Sequence, residues 1–185
     1  MMQSPPTTQR RARREAGSMM NPKFNPHKAL EVLLYVARRC PDTYTALKVV
    51  YFADRLHLSR FGRLICGDRY VAMDNGPVPS GLYDIVKFVR GDGAFVMRVP
   101  AKEAFTVQDY NIIPARDPDP QHLSESDIEC LDESIVEYGN KTFAELKRIS
   151  HASVREADHN DFISMESLTR SLENGEELWN YLNDN

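Results

Sequence analysis

The residues best able to do chemistry lie close together near the middle of the chain. Asp54 and His57 are three positions apart, so on a helix they share one face. Such a pair is half of a metal site, or an acid and a base, but no other side chain is spaced to complete a metal site. A buried ionic network is the better interpretation, with Arg55, His57 or Arg69 as the partner of Asp54. Asp68 and Arg69 then fix the next hairpin on the helix.

The chain also lacks the short motifs of common enzyme classes. It has no P-loop, no dinucleotide-binding glycine motif, no nucleophile elbow and no zinc-protease motif. Its three cysteines are an odd number and widely spaced, at Cys40, Cys66 and Cys130. This spacing argues against a disulfide framework or a zinc site and fits a reducing compartment. We expect no metal, no cofactor and no catalytic residue. Because catalytic groups meet in space, an enzyme centred on Asp54, His57 and Asp68 is the alternative.

The net charge of −4 conceals a strong asymmetry along the 185 residues. Residues 1–20 carry a net charge of +3, residues 21–115 carry +4, and residues 116–185 carry −11. An acidic C-terminal third repels nucleic acid and suits a basic protein surface. The simpler interpretation is that these carboxylates form the solvated faces of helices. For the folded domain we therefore expect a protein partner rather than nucleic acid.

Residues 1–20 differ from the rest, because they contain almost no large apolar side chains before Met19. We expect a disordered basic tail, with Met19 or Met20 as an alternative start. A nucleic-acid-binding arm is the other interpretation, and its candidate residues are Arg10, Arg11, Arg13 and Arg14. The apolar runs are too short to span a bilayer and no secretory apolar region follows the tail, so we expect no membrane partner and a cytoplasmic location.

Apolar periodicity and capping residues predict a mainly helical single domain over residues 21–185. The predicted fold class is α+β, mainly α: a compact helical domain with a small antiparallel β-sheet or hairpin insertion. Asn25, Ser80 and Ser124 are the predicted caps of three of its helices. The predicted helices span residues 26–39, 43–60, 81–90, 124–139, 142–150 and 164–182, the last with a break at Gly175. The predicted strands span residues 70–73, 95–99, 105–107 and 111–114.

The first two helices and the short turn between them invite a helix-turn-helix interpretation. The second helix argues against it, because it is apolar on most sides and is expected to be buried. A recognition helix needs an exposed polar or basic face instead. We therefore expect a central core helix there.

A short stiff segment follows the first predicted strand. Asn75 and Gly76 favour a tight turn, and Pro77 and Pro79 fix the backbone on either side of Val78. A pre-stiffened segment can be presented to a partner at little entropic cost, with tyrosines beside it as anchors. The alternative is a turn that only leads into the next helix. The candidate partner-binding residues are Asp54, His57, Arg60, Asp68, Tyr70, Asn75, Gly76, Pro77, Val78, Pro79 and Tyr83.

An ordered series of motifs resembles the SocA-like, or Panacea, antitoxin domain, a family also met as phage-associated GepA-type proteins. The resemblance covers most of residues 24–160. Its main part is LKVVYFADRLHLSRFGR at residues 47–63, GDRYVAM at residues 67–73 and NGPVP at residues 75–79. It continues through residues 123–125, 137–139, 146 and 150–151. Members often have a Trp soon after the Ser150-His151 step, whereas this chain has none before Trp179.

The resemblance implies a protein that is not an enzyme and that neutralises a cognate toxin, encoded by the adjacent gene, by direct binding in a type II-like toxin–antitoxin system. One branch of the family instead delivers its toxin to a Clp protease as an adaptor, and this alternative stays open. Some members carry a separate DNA-binding domain for autoregulation, a role for which this chain offers only its Arg-rich tail. Self-association of the chain is compatible with either function.

Overall fold

A computed structural model of the protein describes residues 23–93, 99–153 and 161–184. The predicted tail at residues 1–20 and nearly all of the predicted strand at residues 95–99 lie outside this part of the chain. The described residues form eight α-helices, a short 3-10 helix and two β-hairpins. The helices are α1 (Pro26–Ala37), α2 (Thr43–Phe61), α3 (Ser80–Arg90), α4 (Ala101–Ala104), α5 (Glu125–Tyr138), α6 (Phe143–Ala152), α7 (Met165–Arg170) and α8 (Gly175–Asn183). The predicted fold class, α+β and mainly α, is confirmed.

Helix α2 is the centre of the fold, as its apolar sequence predicts. Every residue from 46 to 54 is buried, which leaves no solvated side along this stretch. Gly62 ends the helix in the left-handed conformation with φ at 69°, and its N–H donates to the Leu58 carbonyl. The helix packs against α1, α5, α6 and the first hairpin, so it can position residues from all four.

Two antiparallel hairpins lie beside this helical core. The first pairs β1 (Tyr70–Met73) with β2 (Gly76–Pro79), and the second pairs β3 (Phe105–Gln108) with β4 (Asn111–Pro114). The predicted strands at residues 70–73, 105–107 and 111–114 are thus confirmed. The NGPVP segment is itself a strand and not only a turn, because Pro77 and Pro79 lie at positions where β2 needs no backbone donor toward β1.

Capping residues place the helix starts as predicted in several cases. The Asn25 side chain accepts the Lys28 N–H at 3.1 Å, and Ser124 and Asp127 form a reciprocal capping box on α5. The predicted helix at residues 164–182 is divided into α7 and α8, and the predicted break is confirmed at Gly175, where α8 begins.

Two residues at helix starts do not follow the local pattern. Phe143, the first residue of α6, is apolar, yet it is 52% exposed and packs its ring 4.5 Å from that of Tyr44. Ser80 was expected to cap α3, but it is the first residue of the helix and makes no side-chain cap. A carboxylate distant in sequence takes its place, as described below.

The core has two apolar clusters that meet at α2. One includes α1, the first half of α2, α3, the second hairpin and α5, and the other is formed around Tyr51, Phe52, Tyr70, Leu146 and Leu168. No helix within the described residues is long and apolar enough to cross a bilayer.

Candidate functional site

Three polar residues of α2 lie inside the protein. Lys48, Asp54 and His57 are each exposed by no more than 1%. Asp68, which follows α2 in the chain, is 5% exposed. Because buried polar groups cost free energy unless they are hydrogen-bonded, each must have partners. Their partners determine what this region can do.

Asp54 binds neutral donors and not a cation. One carboxylate oxygen accepts the Ile65 N–H at 2.6 Å, and the other accepts the Tyr70 hydroxyl at 2.6 Å. The prediction that Arg55, His57 or Arg69 is its partner is therefore wrong. Burial raises the pKa of Asp54 to about 7, and the two hydrogen bonds lower it only in part. The carboxylate ties the loop after α2 to strand β1.

His57 belongs to a separate buried group at the start of α5. Its Nδ1 lies 2.9 Å from the Arg63 carbonyl, which can only accept, so Nδ1 carries the proton. Its Nε2 lies 3.1 Å from the Ser126 hydroxyl and 3.3 Å from Asp127. Burial lowers the pKa of His57, so the ring is neutral near pH 7. Because the serine and the carboxylate both face Nε2, this group cannot act as a serine triad, which needs them on opposite ring nitrogens.

Asp127 is held in its charged form. Its carboxylate lies 2.5 Å from the Lys28 amine and accepts the Ser124 N–H at 2.8 Å. Burial raises its pKa, but these two contacts outweigh burial and leave the pKa below its usual value. This pair joins the first turns of α1 and α5.

Asp68 caps helix α3 from outside the helix. It accepts the N–H groups of Arg69 at 2.7 Å, Gly81 at 2.8 Å and Leu82 at 2.8 Å. The predicted ionic network between Asp68 and Arg69 is thus wrong, because the bond between them uses the backbone and α3 takes the other two. Burial raises the pKa of Asp68 to about 6. The negative charge lies at the positive end of the helix dipole, where it stabilises α3.

The turn of the first hairpin is fixed from two helices. The Lys48 amine of α2 donates to the Pro77 carbonyl at 2.7 Å, and the Tyr44 hydroxyl donates to the Asn75 carbonyl at 3.0 Å. From α6, Lys147 donates to the Asn75 side chain at 3.0 Å and His151 Nε2 donates to the Asp74 carbonyl at 2.9 Å. These four bonds clamp the hairpin between α2 and α6.

Lys48 is the most unusual member of this clamp. Within the described residues no carboxylate lies within ion-pair distance of its amine, and burial lowers its pKa to about 7. Sequence reasoning missed Lys48, although a lysine inside the apolar stretch from Leu47 to Phe52 was an available signal. It also missed Tyr44, Lys147 and His151, whose roles depend on contacts far apart in sequence.

Gly76 allows the close approach between hairpin and helix. Its φ is 91°, and a Cβ there would lie 2.3 Å from Ser150 Oγ and 2.9 Å from Lys48 Nζ. A larger residue would have to displace the Ser150 side chain and the Lys48 amine, and it would be strained at this positive φ. The Gly76 of the NGPVP motif and the Ser150 of the later motif are thus parts of one contact.

Some of the residues predicted from the sequence to bind a partner are buried, and others are accessible to solvent. Asp54, His57, Asp68, Tyr70, Gly76, Pro77 and Pro79 are buried, and in this conformation they have no surface to offer a partner. Arg60 and Asn75 are exposed, and Val78 and Tyr83 are half-buried. Arg60 forms ion pairs with Glu129 at 2.9 Å and with Glu133 at 2.6 Å. The basic candidates Arg10, Arg11, Arg13 and Arg14 lie outside the described residues.

The same geometry bears on the alternative of an enzyme centred on Asp54, His57 and Asp68. The three side chains are buried in three different hydrogen-bonded groups, and none of the three donates to or accepts from another. Among the described residues no group of three or more His, Cys, Asp or Glu side chains could hold a metal ion. Together these hydrogen-bonded groups form a frame around α2, in which α1, α5, α6 and the first hairpin are held to α2 and to one another.

Comparison with known proteins identifies the family. The family model described as "Antitoxin SocA-like, Panacea domain" matches residues 47–154, which is more than half of the chain. No curated protein and no solved structure matches the chain. The matched span begins within α2, includes both hairpins, and ends just after α6, so it contains most of the frame described above, apart from Lys28 and Tyr44. The chain therefore belongs to the SocA-like antitoxin family defined by the Panacea domain.

Proposed function

We propose that this protein neutralises a cognate protein toxin, encoded by the adjacent gene, by binding it directly and without catalysing a reaction. The observation that carries the proposal is the family match, whose description is that of an antitoxin. The system is of the type II kind, in which both partners are proteins, and it acts in the cytoplasm.

The arrangement of the polar side chains supports a binding role. The side chains best suited to acid–base chemistry are Asp54, His57 and Asp68. Their hydrogen-bonding groups are all bound to partners inside the frame. A general acid or base has to reach a substrate proton, and a fully buried group with its partners in place does not. We therefore assign the binding function to the outer surface of the protein, which this frame supports.

Charge supports a basic toxin surface. The exposed side of α5 carries Glu125, Glu129, Glu133 and Glu137, and residues 116–185 have a net charge of −11. Toxins that act on RNA or nucleotides need positive charge to hold phosphate groups. Opposite charges speed the encounter of two proteins and make the association rate fall with added salt.

Of the residues first named from the sequence, Arg60, Asn75, Val78 and Tyr83 are accessible enough to touch such a partner. Tyr83 is half-buried on α3 and has the Lys87 amine 5.0 Å above its ring. An aromatic ring with an adjacent cation is a common type of interface residue. We include these four residues in the proposed binding surface.

Co-expression with the adjacent gene tests the proposal. The neighbour expressed alone should arrest growth, and this chain should restore growth and copurify with the neighbour at a fixed molar ratio. A neighbour that is harmless alone, or a toxic neighbour that never associates with this chain, would contradict direct neutralisation.

Toxin turnover separates sequestration from adaptor action. We expect the half-life of the toxin to be equal in Clp-proficient and Clp-deficient hosts when this chain is present. If the toxin is instead degraded only where Clp is active, delivery to the protease is the mechanism. Self-association of the chain would then be measured on its complex with the toxin.

A further inference from the structure

A shallow groove lies on the outer side of the frame, between α2 and α5. It encloses about 530 Å³ and lies entirely within the span of the family match. Phe52 and Leu56 of α2 and Tyr138 of α5 provide apolar surface in the groove. The rest of the lining is Asp132, Glu133, Ser134, Val136 and Glu137.

Val136 is the residue of this groove that the fold does not explain. Its side chain is 80% exposed, the largest exposure among the large apolar residues of the described ranges. One helical turn earlier, Asp132 lies on the same side of α5, so a polar residue would suit this position equally well. An apolar side chain beside an apolar depression gains free energy when a partner covers it.

Carboxylates surround Val136. Asp132 and Glu133 lie on the preceding turn of α5, and Glu137 is the next residue. Asp132 binds Tyr35 and Arg39 through a single oxygen, Oδ1, and Glu137 contacts Lys141 through Oε1. For each, the second oxygen accepts no hydrogen bond among the described residues. Two carboxylate oxygens therefore remain at the rim for a positively charged group.

We propose that this groove docks an apolar side chain of the toxin that is flanked by lysine or arginine. The inference rests on the proposed function and adds the place and chemistry of the contact. The apolar side chain covers Val136 and contacts Leu56, while the flanking cations approach Asp132 and Glu137. Tyr138 is fixed for this role, since its ring stacks on Phe52 with centroids 3.9 Å apart.

Charge argues against a second copy of this chain as the occupant. A two-fold contact through the groove would place the carboxylates of one α5 against those of the other. Like charges facing each other across an interface oppose association. A basic partner meets more carboxylates than cations, because the five acidic residues on this side of α5 outnumber their cationic partners Arg39, Arg60 and Lys141.

Two substitutions at one position test both parts of the inference. Val136→Arg removes the apolar contact and repels cations, whereas Val136→Glu removes the apolar contact but keeps the acidic rim. Tyr110→Arg is the matched control, because Tyr110 is 74% exposed and lies at the turn of the second hairpin. Its backbone contact to Thr43 places it roughly 14–20 Å along α2 from Phe52 and Leu56.

The measurement is the affinity of the full chain for the purified neighbour-gene product that arrests growth, at two salt concentrations. We expect Val136→Arg to weaken binding about 30-fold or more, and Val136→Glu to weaken it about three- to tenfold. Tyr110→Arg should stay within about twofold of the unsubstituted chain, and all three variants should keep its thermal unfolding midpoint.

Each other outcome has a distinct meaning. Unchanged affinity for Val136→Arg, with the unsubstituted chain binding tightly, would overturn the groove and leave the proposed function intact. Equal losses for the Arg and Glu variants would overturn the basic character of the occupant. Absence of binding by the unsubstituted chain would contradict the proposed function and this inference together.

Discussion

Residues of the same two helices behave in opposite ways on the two sides of the frame. On α2, His57 is completely buried with partners on both ring nitrogens, whereas the adjacent Leu56 is half-exposed in the groove. On α5, Asp127 is completely buried between Lys28 and His57, whereas Val136 is 80% exposed. The side rich in hydrogen bonds gives the fold its shape, and the side with exposed apolar surface is the one to which we propose that the partner binds.

This contrast changes what the motif series means. Tyr70, Asn75, Gly76 and Pro77 of these motifs hold the hairpin to α2 and α6, and seven of the residues first named as partner contacts are buried. A recognisable motif here marks the scaffold. The surface proposed for the partner uses only the exposed or half-buried members of these motifs, such as Leu56, Arg60 and Val78, together with residues outside them.

The largest expected effect is the loss of the Asp54 carboxylate. Asp54→Ala leaves the Tyr70 hydroxyl and the Ile65 N–H buried without a partner, which should lower the free energy of unfolding by about 2–5 kcal/mol. Asp54→Asn is the control, because its amide can accept from Ile65 and donate to the Tyr70 oxygen, and we expect a loss of about 1 kcal/mol. Urea unfolding measures both. An alanine variant as stable as the unsubstituted chain would remove Asp54 from the frame.

The close approach of the hairpin to α6 should be nearly as sensitive. Gly76→Ala adds a methyl group 2.3 Å from Ser150 Oγ at a left-handed backbone position. Gly91→Ala is the matched control, since its φ is 95° and a Cβ there meets nothing within 4 Å. We expect about 1–2 kcal/mol of destabilisation for Gly91→Ala from backbone strain and a further 1–3 kcal/mol, roughly, for Gly76→Ala. Equal effects in thermal unfolding would mean that the hairpin and α6 are not tightly packed.

A smaller effect concerns pH and the buried amine of Lys48. Its pKa is about 7 in the folded chain against an ordinary value of 10.5, so between these pH values the unfolded chain binds more protons. The stability contributed through Lys48 therefore rises as pH increases from about 7 to 10.5. Lys48→Met should flatten the stability profile over that range. An identical slope in both proteins would show that the amine is solvated.

The buried carboxylate of Asp54 acts in the opposite direction at lower pH. The pKa of Asp54 is raised to about 7 from an ordinary 3.8, so between these values the folded chain binds more protons. Its contribution to stability is full below the ordinary value and declines as pH rises toward 7. Asp54→Asn should remove this decline, and Asp132→Asn, a half-exposed carboxylate at the groove, should leave it in place.

The smallest stability effect is expected on the groove side. Val136→Ser should change the free energy of unfolding by less than about 0.5 kcal/mol, because the side chain is 80% exposed. A large loss of stability would place Val136 in the frame and abolish the contrast between the two sides.

Local chemistry explains which parts of the fold were predictable from sequence. The Ser124-x-x-Asp127 box, the Asn25 cap and Gly62 each act within a few residues, so they located the ends of α1, α2 and α5. Ser80 failed as a cap because the backbone N–H groups of Gly81 and Leu82 were already taken by Asp68, thirteen or more residues earlier. Local rules do not include such a competitor.

The candidate site was less predictable for the same reason. The burial of Asp54 could be inferred from the apolar face of α2, but its partner could not, because Tyr70 arrives from a strand after an intervening loop. The clamp by Lys147 and His151 joins residues more than 70 positions apart. The groove gave no sequence signal beyond one valine among carboxylates on α5.

Titration of toxin activity with the purified chain tests the central claim most directly. A protein that acts by covering its partner must be present in proportion to it, so residual toxin activity should fall linearly and reach zero at a fixed molar ratio of chain to toxin. Complete loss of toxin activity at a small fraction of that ratio would require turnover by this chain and would contradict the account.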